Sequence, residues 1–250
     1  MKQDTKTIIQ FAKVITVMSL LTVTGCMSEN GDKKAQKGVS PRYSGDWAQE
    51  FDIGKRSLAT VGENRYFVLK PGFQLVLEGE NEKVAITVLD ETRQIGGITT
   101  RVVEEREEKN GKLVEVSKNY FAICKDTGDV FYFGEDVDIY KDGKIVGHSG
   151  AWRADEKNSK AGLMMPGGPS PGAKYYQEIA PGKAMDRAEI VSMNETFKAP
   201  AGIFKNCLKT EETSALNPGE KGYKTYAPGI GLIQDEGLLL THYGFLSLNR

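Results

Sequence analysis

From Arg65 onward, the chain places apolar residues at every second position. Phe73, Leu75 and Leu77 fall on one face, opposite Gln74, Val76 and Glu78. Val84, Ile86 and Val88 do the same against Lys83, Ala85, Thr87 and Leu89. Val114, Val116, Tyr120, Ala122 and Cys124 share a face of the next run, interrupted by Lys118, and Phe131, Phe133, Val137 and Ile139 share one after it. Strand side chains point alternately to opposite faces, so this spacing predicts strands with one buried face. Parallel strands, buried on both sides, would read as continuous apolar runs.

Turn chemistry punctuates the runs. Asn110-Gly111 and Asp142-Gly143 predict tight hairpins, because both central positions of a type I′ turn need φ > 0. Asp126-Thr127-Gly128-Asp129 predicts a longer loop with Gly128 left-handed, and Pro71-Gly72 and Pro181-Gly182 mark further turns. The result is an antiparallel meander from Gln74 to about Trp152. Its long strands, 97–108 and 112–125, should twist and coil the sheet toward a half-barrel. Residues 155–172 predict a loop over the sheet, since the stretch from Met164 to Gly172 holds three prolines and three glycines. Strands resume at 174–179, 188–197, 202–210, 221–226, 230–234 and 238–246. Trp47 and Phe51, four apart, predict a short helix within 46–56. No repeat of fixed period appears. The fold class is therefore all-β: one large curved, half-barrel-like antiparallel sheet with a hairpin meander, a loop cover and a minor helix.

The N-terminus follows another pattern. Lys2, Lys6 and Lys13 precede an apolar run from Val14 to Val23, too short to span ~30 Å of hydrocarbon. Val23-Thr24-Gly25-Cys26 closes it. This layout resembles the signal of bacterial lipoproteins. The resemblance implies removal of residues 1–25 and lipidation of Cys26 with palmitate-type chains. Several chains are expected, because one acyl chain holds a protein only marginally. Met27, rather than an aspartate, favours the outer membrane in a Gram-negative cell. Residues 26–45 are polar and aperiodic and read as a flexible tether, leaving 46–250 as a single β-rich domain.

Composition narrows the function classes. The full chain carries a net charge of −1, and 28 glycines and 9 prolines fit a turn-rich β fold. A near-neutral body gives no electrostatic case for nucleic acid. Cys124 and Cys207 remain after Cys26, and no spacing suits zinc. An exported compartment permits a disulfide between them. The apolar face under Cys124 favours a buried thiol.

Candidate chemistry is sparse. His148 and His242, the only histidines, sit in Gly-His-Ser-Gly and Thr-His-Tyr-Gly, outside any metal or triad motif. No cofactor motif occurs. Glu104-Glu105-Arg106-Glu107-Glu108 reads as a charged hairpin arm with cross-strand partners. The carboxylates at Asp126, Asp129, Glu135, Asp136 and Asp138 lack the spacing of a calcium loop. Tyr132 opposes Phe131 and Phe133, so both faces of that strand are aromatic. The second face is then either covered by the 155–172 loop or open as a groove. Tyr132, Tyr140, Trp152, Met164 and Met165 are the candidate lining of such a groove for a hydrophobic ligand.

Several runs carry a wider resemblance: residues 66–72 (YFVLKPG), 129–135 (DVFYFGE), 176–178 (YQE), 184–188 (AMDRA), 200–208 (PAGIFKNCL) and 224–232 (KTYAPGIGL). They resemble a set of uncharacterised bacterial secreted proteins and lipoproteins. The overall look is similar to half-barrel envelope carriers of lipoproteins and lipids. This likeness implies a curved sheet and transfers no activity. The sequence thus points to a lipid-anchored, non-enzymatic envelope binding module, for a hydrophobic ligand or an envelope protein. An envelope hydrolase of unknown substrate and a structural scaffold are the alternatives.

Overall fold

A computed structural model describes residues 43–246. The signal segment, Cys26 and all but the last residues of the tether lie outside the described residues. The strands, in chain order, are β1 (Leu58–Ala59), β2 (Gly62–Asn64), β3 (Phe67–Leu69), β4 (Phe73–Glu78), β5 (Glu82–Ile95), β6 (Ile98–Lys109), β7 (Lys112–Cys124), β8 (Val130–Lys141) and β9 (Lys144–Gly147). They continue with β10 (Trp152–Arg153), β11 (Lys160–Met165), β12 (Lys174–Tyr176), β13 (Glu178–Ile179), β14 (Asp186–Ala199), β15 (Gly202–Ser214), β16 (Lys221–Ala227), β17 (Gly231–Asp235) and β18 (Leu238–Phe245). The expected all-β curved antiparallel sheet is present. The turn residues act as expected: φ is 52° and 69° at Asn110-Gly111, and 51° and 75° at Asp142-Gly143.

Strands β4 to β8 form one meander and β14 to β18 another, and β18 pairs with β4 to join them. The far ends of this sheet are carried by a single short segment. β12 pairs with β14, while β13, one residue later, pairs with β11. The sheet therefore curls until its two ends meet at Gln177, nearly closing a barrel and leaving little open edge. Gly162 permits the meeting. A Cβ at Gly162 would sit 2.1 Å from the carbonyl oxygen of Gln177.

A bulge on β8 sets which side chains face inward. Asn119 pairs with Glu135, and Phe121 with Tyr132, so β8 carries one extra residue between these pairs. Gly134, at φ 127°, takes that position and lets β10 cross close by. The expectation that Phe131, Phe133, Val137 and Ile139 share one face fails for this reason. Tyr132 and Glu135 instead lie on the same side.

Three further expectations are corrected. The helix expected within 46–56 is one 3-10 turn, Ile53–Lys55. Ala48 instead bridges Tyr175 in extended form, with its N–H donating to Lys174 O at 3.0 Å. Backbone partners on β12 outweigh weak helix propensity in a stretch containing Gly54. The loop expected over 155–172 is partly strand: β11 pairs with β8 and β13, leaving the Pro-Gly run after Met165 as loop. Finally, the N-terminal segment shares the cover of the outer aromatic face of β8: it packs on Phe131, while Phe133 borders a cleft with Asp155, Lys160 and Ala161. Phe51 lies 6.1 Å from Phe131 and 5.9 Å from Tyr43, centroid to centroid.

The β2–β3 hairpin closes one end of the barrel. Asn64 Nδ2 donates to Gly128 O at 2.8 Å and Pro166 O at 2.9 Å on one side. On the other, Tyr66 Oη donates to Asn206 O at 3.0 Å, and Gly229 N donates to Arg65 O at 2.7 Å.

Candidate functional site

Alternation divides the barrel interior into two zones. Behind the β2–β3 hairpin lies an apolar chamber of about 70 Å³. Phe67 and Val68 of the hairpin line it, with Phe73, Leu75, Ile86, Val88, Val103, Phe121, Met164, Ile230 and Leu232 from the wall. Glu105, Asn119, Lys224 and Tyr226 form its polar border. Beyond that border lies a second cavity of about 20 Å³, lined by Phe121, Tyr132, Met164, Gln177, Glu178, Asp186, Glu212 and Lys224.

Glu212 organises the polar zone. Its Oε1 accepts from Gln177 Nε2 at 3.2 Å, Thr210 Oγ1 at 3.3 Å and Tyr226 Oη at 3.4 Å. Its Oε2 lies 3.2 Å from Lys224 Nζ, which also lies 3.4 Å from Asp235 Oδ2. Tyr132 Oη donates to Asn119 Oδ1 at 2.5 Å. By contrast, Glu178 Oε2, Trp152 Nε1 and Tyr175 Oη are buried without hydrogen-bond partners.

Carboxylates dominate this half. Burial pushes Glu105 well above the usual range, reinforced by Glu107. Burial, then Asp186 and Glu135, does the same to Glu178. Glu115 is pushed up to about 8 by burial and Glu107, and Glu135 to about 8 by burial and Glu115. Burial raises Asp235 to about 6 against the pull of Lys224. Glu107 and Asp186 are raised mainly by burial as well. Burial opposes the charge on Lys224, but Asp235 and Glu212 hold it protonated well above the usual lysine range.

The expected groove residues divide. Tyr132 and Met164 line the inner cavities, and Trp152 packs edge-on against Tyr132 at 5.4 Å. Met165 is fully buried and lines neither inner cavity. Tyr140 pairs with Ile145 beside the Asp142-Gly143 turn, away from both cavities. No open groove joins all five. Cys124 and Cys207 are free, buried thiols.

His148 Nδ1 lies 2.9 Å from Asp138 Oδ1 and 2.8 Å from Val137 O, but its side chain is 66% exposed and outside the cavities described. His242 is exposed on β18. An outer cleft of about 440 Å³ lies between residues 49–55 and the β5–β6 turn. Asp126, Asp129, Glu135, Asp136 and Asp138 disperse. Asp129 accepts from Gly167 N, Asp136 accepts from Tyr120 and Arg153, and Asp138 meets His148. Among the described residues, no three His, Cys, Asp or Glu side chains stand in metal-binding geometry.

The charged-arm expectation for residues 104–108 is corrected, because Arg106 meets a carboxylate of its own strand rather than a cross-strand partner. Arg106 meets Glu104 at 3.9 Å, while Glu105 is buried in the interior. The signal was present in parity, since Glu105 and Glu107 share the register of buried Val103. The resemblance runs supply Phe67, Val68, Tyr132, Glu178, Asp186, Lys224 and Tyr226 to these linings. Compared with family models, curated proteins and solved structures, the chain shows no match.

Proposed function

We propose that the protein is an envelope lipoprotein, anchored through Cys26, whose barrel is a non-enzymatic binding module for a compact apolar or amphiphilic ligand. The observation that carries this is the chamber of about 70 Å³ behind Phe67 and Val68. Its walls are nearly all apolar, and a polar border at Glu105, Asn119 and Lys224 gives a ligand one orientation. A cavity of ~150 Å³ accepts benzene, so this one suits a fragment of about four carbons. Burying such a fragment at ~0.8 kcal/mol per methylene yields roughly millimolar affinity, and a larger ligand would add contacts at the border.

Extraction of the native protein from membranes, with mass spectrometry of co-purifying small molecules, tests this. A compound enriched with the wild type and lost from Val103→Phe, which fills the chamber, supports the proposal. Equal recovery from both contradicts it. Release of Cys26→Ser into the soluble fraction supports the anchor, and retention at the membrane contradicts it.

A second reading, attachment to another envelope component, draws on exposed Ile203, Tyr243, Phe245 and Leu246 near one end of the barrel. Crosslinking from Ile203 and Phe245 in cells separates it from ligand binding.

A further inference from the structure

We propose that the polar zone of the barrel is a seat for an organic ammonium group, so that the ligand is a short alkylamine or a larger molecule ending in an aminoalkyl chain. This rests on the apolar chamber as a binding site and names the chemistry of the ligand's other end.

The two inner cavities share Phe121, Met164 and Lys224. A chain lying in the chamber therefore directs its end past these residues toward Glu178, Asp186 and Glu212. Among the described residues, Lys224 is the one cation in either lining, and its Nζ stands between Glu212 at 3.2 Å and Asp235 at 3.4 Å. One lysine does not balance the carboxylates that face this space.

Glu178 supplies the independent observation. The residue is 3% exposed, it lines the small cavity, and its Oε2 has no hydrogen-bond partner. A buried acceptor in that condition favours an incoming donor strongly, and a charged donor most of all. An ammonium group offers three N–H donors to acceptors spread around it. That suits separated carboxylates better than a metal ion, for which the described residues hold no three-ligand group.

Further carboxyl groups lie toward the barrel end away from the hairpin. Glu107 and Glu115 pair across β6 and β7, and with Asp186 and Asp235 they are half-buried near the turns at that end. As pH rises and these carboxyls ionise, such a mouth draws cations inward.

Calorimetric titration of the purified protein with n-butylammonium and with n-butanol tests the seat. The two probes share a chain and differ in the head. The expected result is binding of n-butylammonium about tenfold tighter than n-butanol or better. Glu178→Gln and Asp186→Asn should each shrink that ratio at least about threefold. Either variant suffices if the other fails to fold. Binding of n-butanol with no advantage for the amine, or an advantage unchanged by both variants, overturns the ammonium seat and leaves the chamber standing. Binding of neither probe overturns the chamber reading and the seat together.

Discussion

Lys224 Nζ lies 3.2 Å from Glu212 Oε2 inside the barrel, where both side chains are nearly inaccessible to solvent. Glu212 also gathers Gln177, Thr210 and Tyr226, so one ion pair ties β15, β16 and the closing segment together. Removing one partner leaves the other buried and uncompensated. Lys224→Met should therefore cost about 3–5 kcal/mol of stability at pH 7.5. Urea unfolding at pH 7.5 and at pH 5 checks this. The loss should be smaller at pH 5, where Asp235, raised to about 6 by burial, is protonated and needs no counter-charge.

Burial of the interior carboxylates favours the folded state at low pH. Glu115 and Glu135 titrate near 8 and Asp235 near 6 in the folded protein, against ~4 in an unfolded chain. Between those values the folded state binds more protons than the unfolded state. Stability is then full below about pH 4 for these groups and falls as pH rises through 6 and 8. The thermal midpoint should be higher at pH 5 than at pH 9. A midpoint that rises across that range would contradict the burial of these groups.

Barrel closure depends on a glycine. Gly162→Ala places a methyl 2.1 Å from Gln177 O, where backbone on both sides has little room to yield. A loss of about 3 kcal/mol or more is expected. Hydrogen exchange should show the damage first in β11 to β13, where the sheet ends meet.

Arg101 pins a second irregularity. Between the pairs Val88–Val103 and Thr92–Arg101, β5 bulges outward. Arg101 donates to Leu89 O at 3.2 Å, Glu91 O at 3.3 Å, Thr60 O at 3.1 Å and Asp90 Oδ1 at 3.1 Å. A lysine presents a compact point charge rather than a fork. Arg101→Lys should lose about 2 kcal/mol by denaturant unfolding, and Arg101→Met little more.

Much of this fold was legible in period two and in turn residues. Asn110-Gly111 and Asp142-Gly143 sit where hairpin chemistry demands. What the sequence hid had local causes. The Gly134 bulge flips parity between Tyr132 and Glu135, and a lone glycine in a strand does not announce which register it shifts. Closure at Gln177 is a long-range event between β11 and β14, and its one local trace in β11 is the missing side chain at Gly162. Glu105 and Glu107 shared parity with Val103, but charged residues read as solvent-facing unless a closed barrel is already known.

The proposed ligand site is the apolar chamber behind the β2–β3 hairpin. Methyl-resolved NMR of the protein titrated with n-butanol tests it most directly. Saturable shifts centred on Val68, Leu75, Ile86, Val88, Val103 and Ile230, and abolished by Val103→Phe, are the predicted result. Shifts that never saturate, or that map to exposed Ile203 and Leu246 instead, would contradict it.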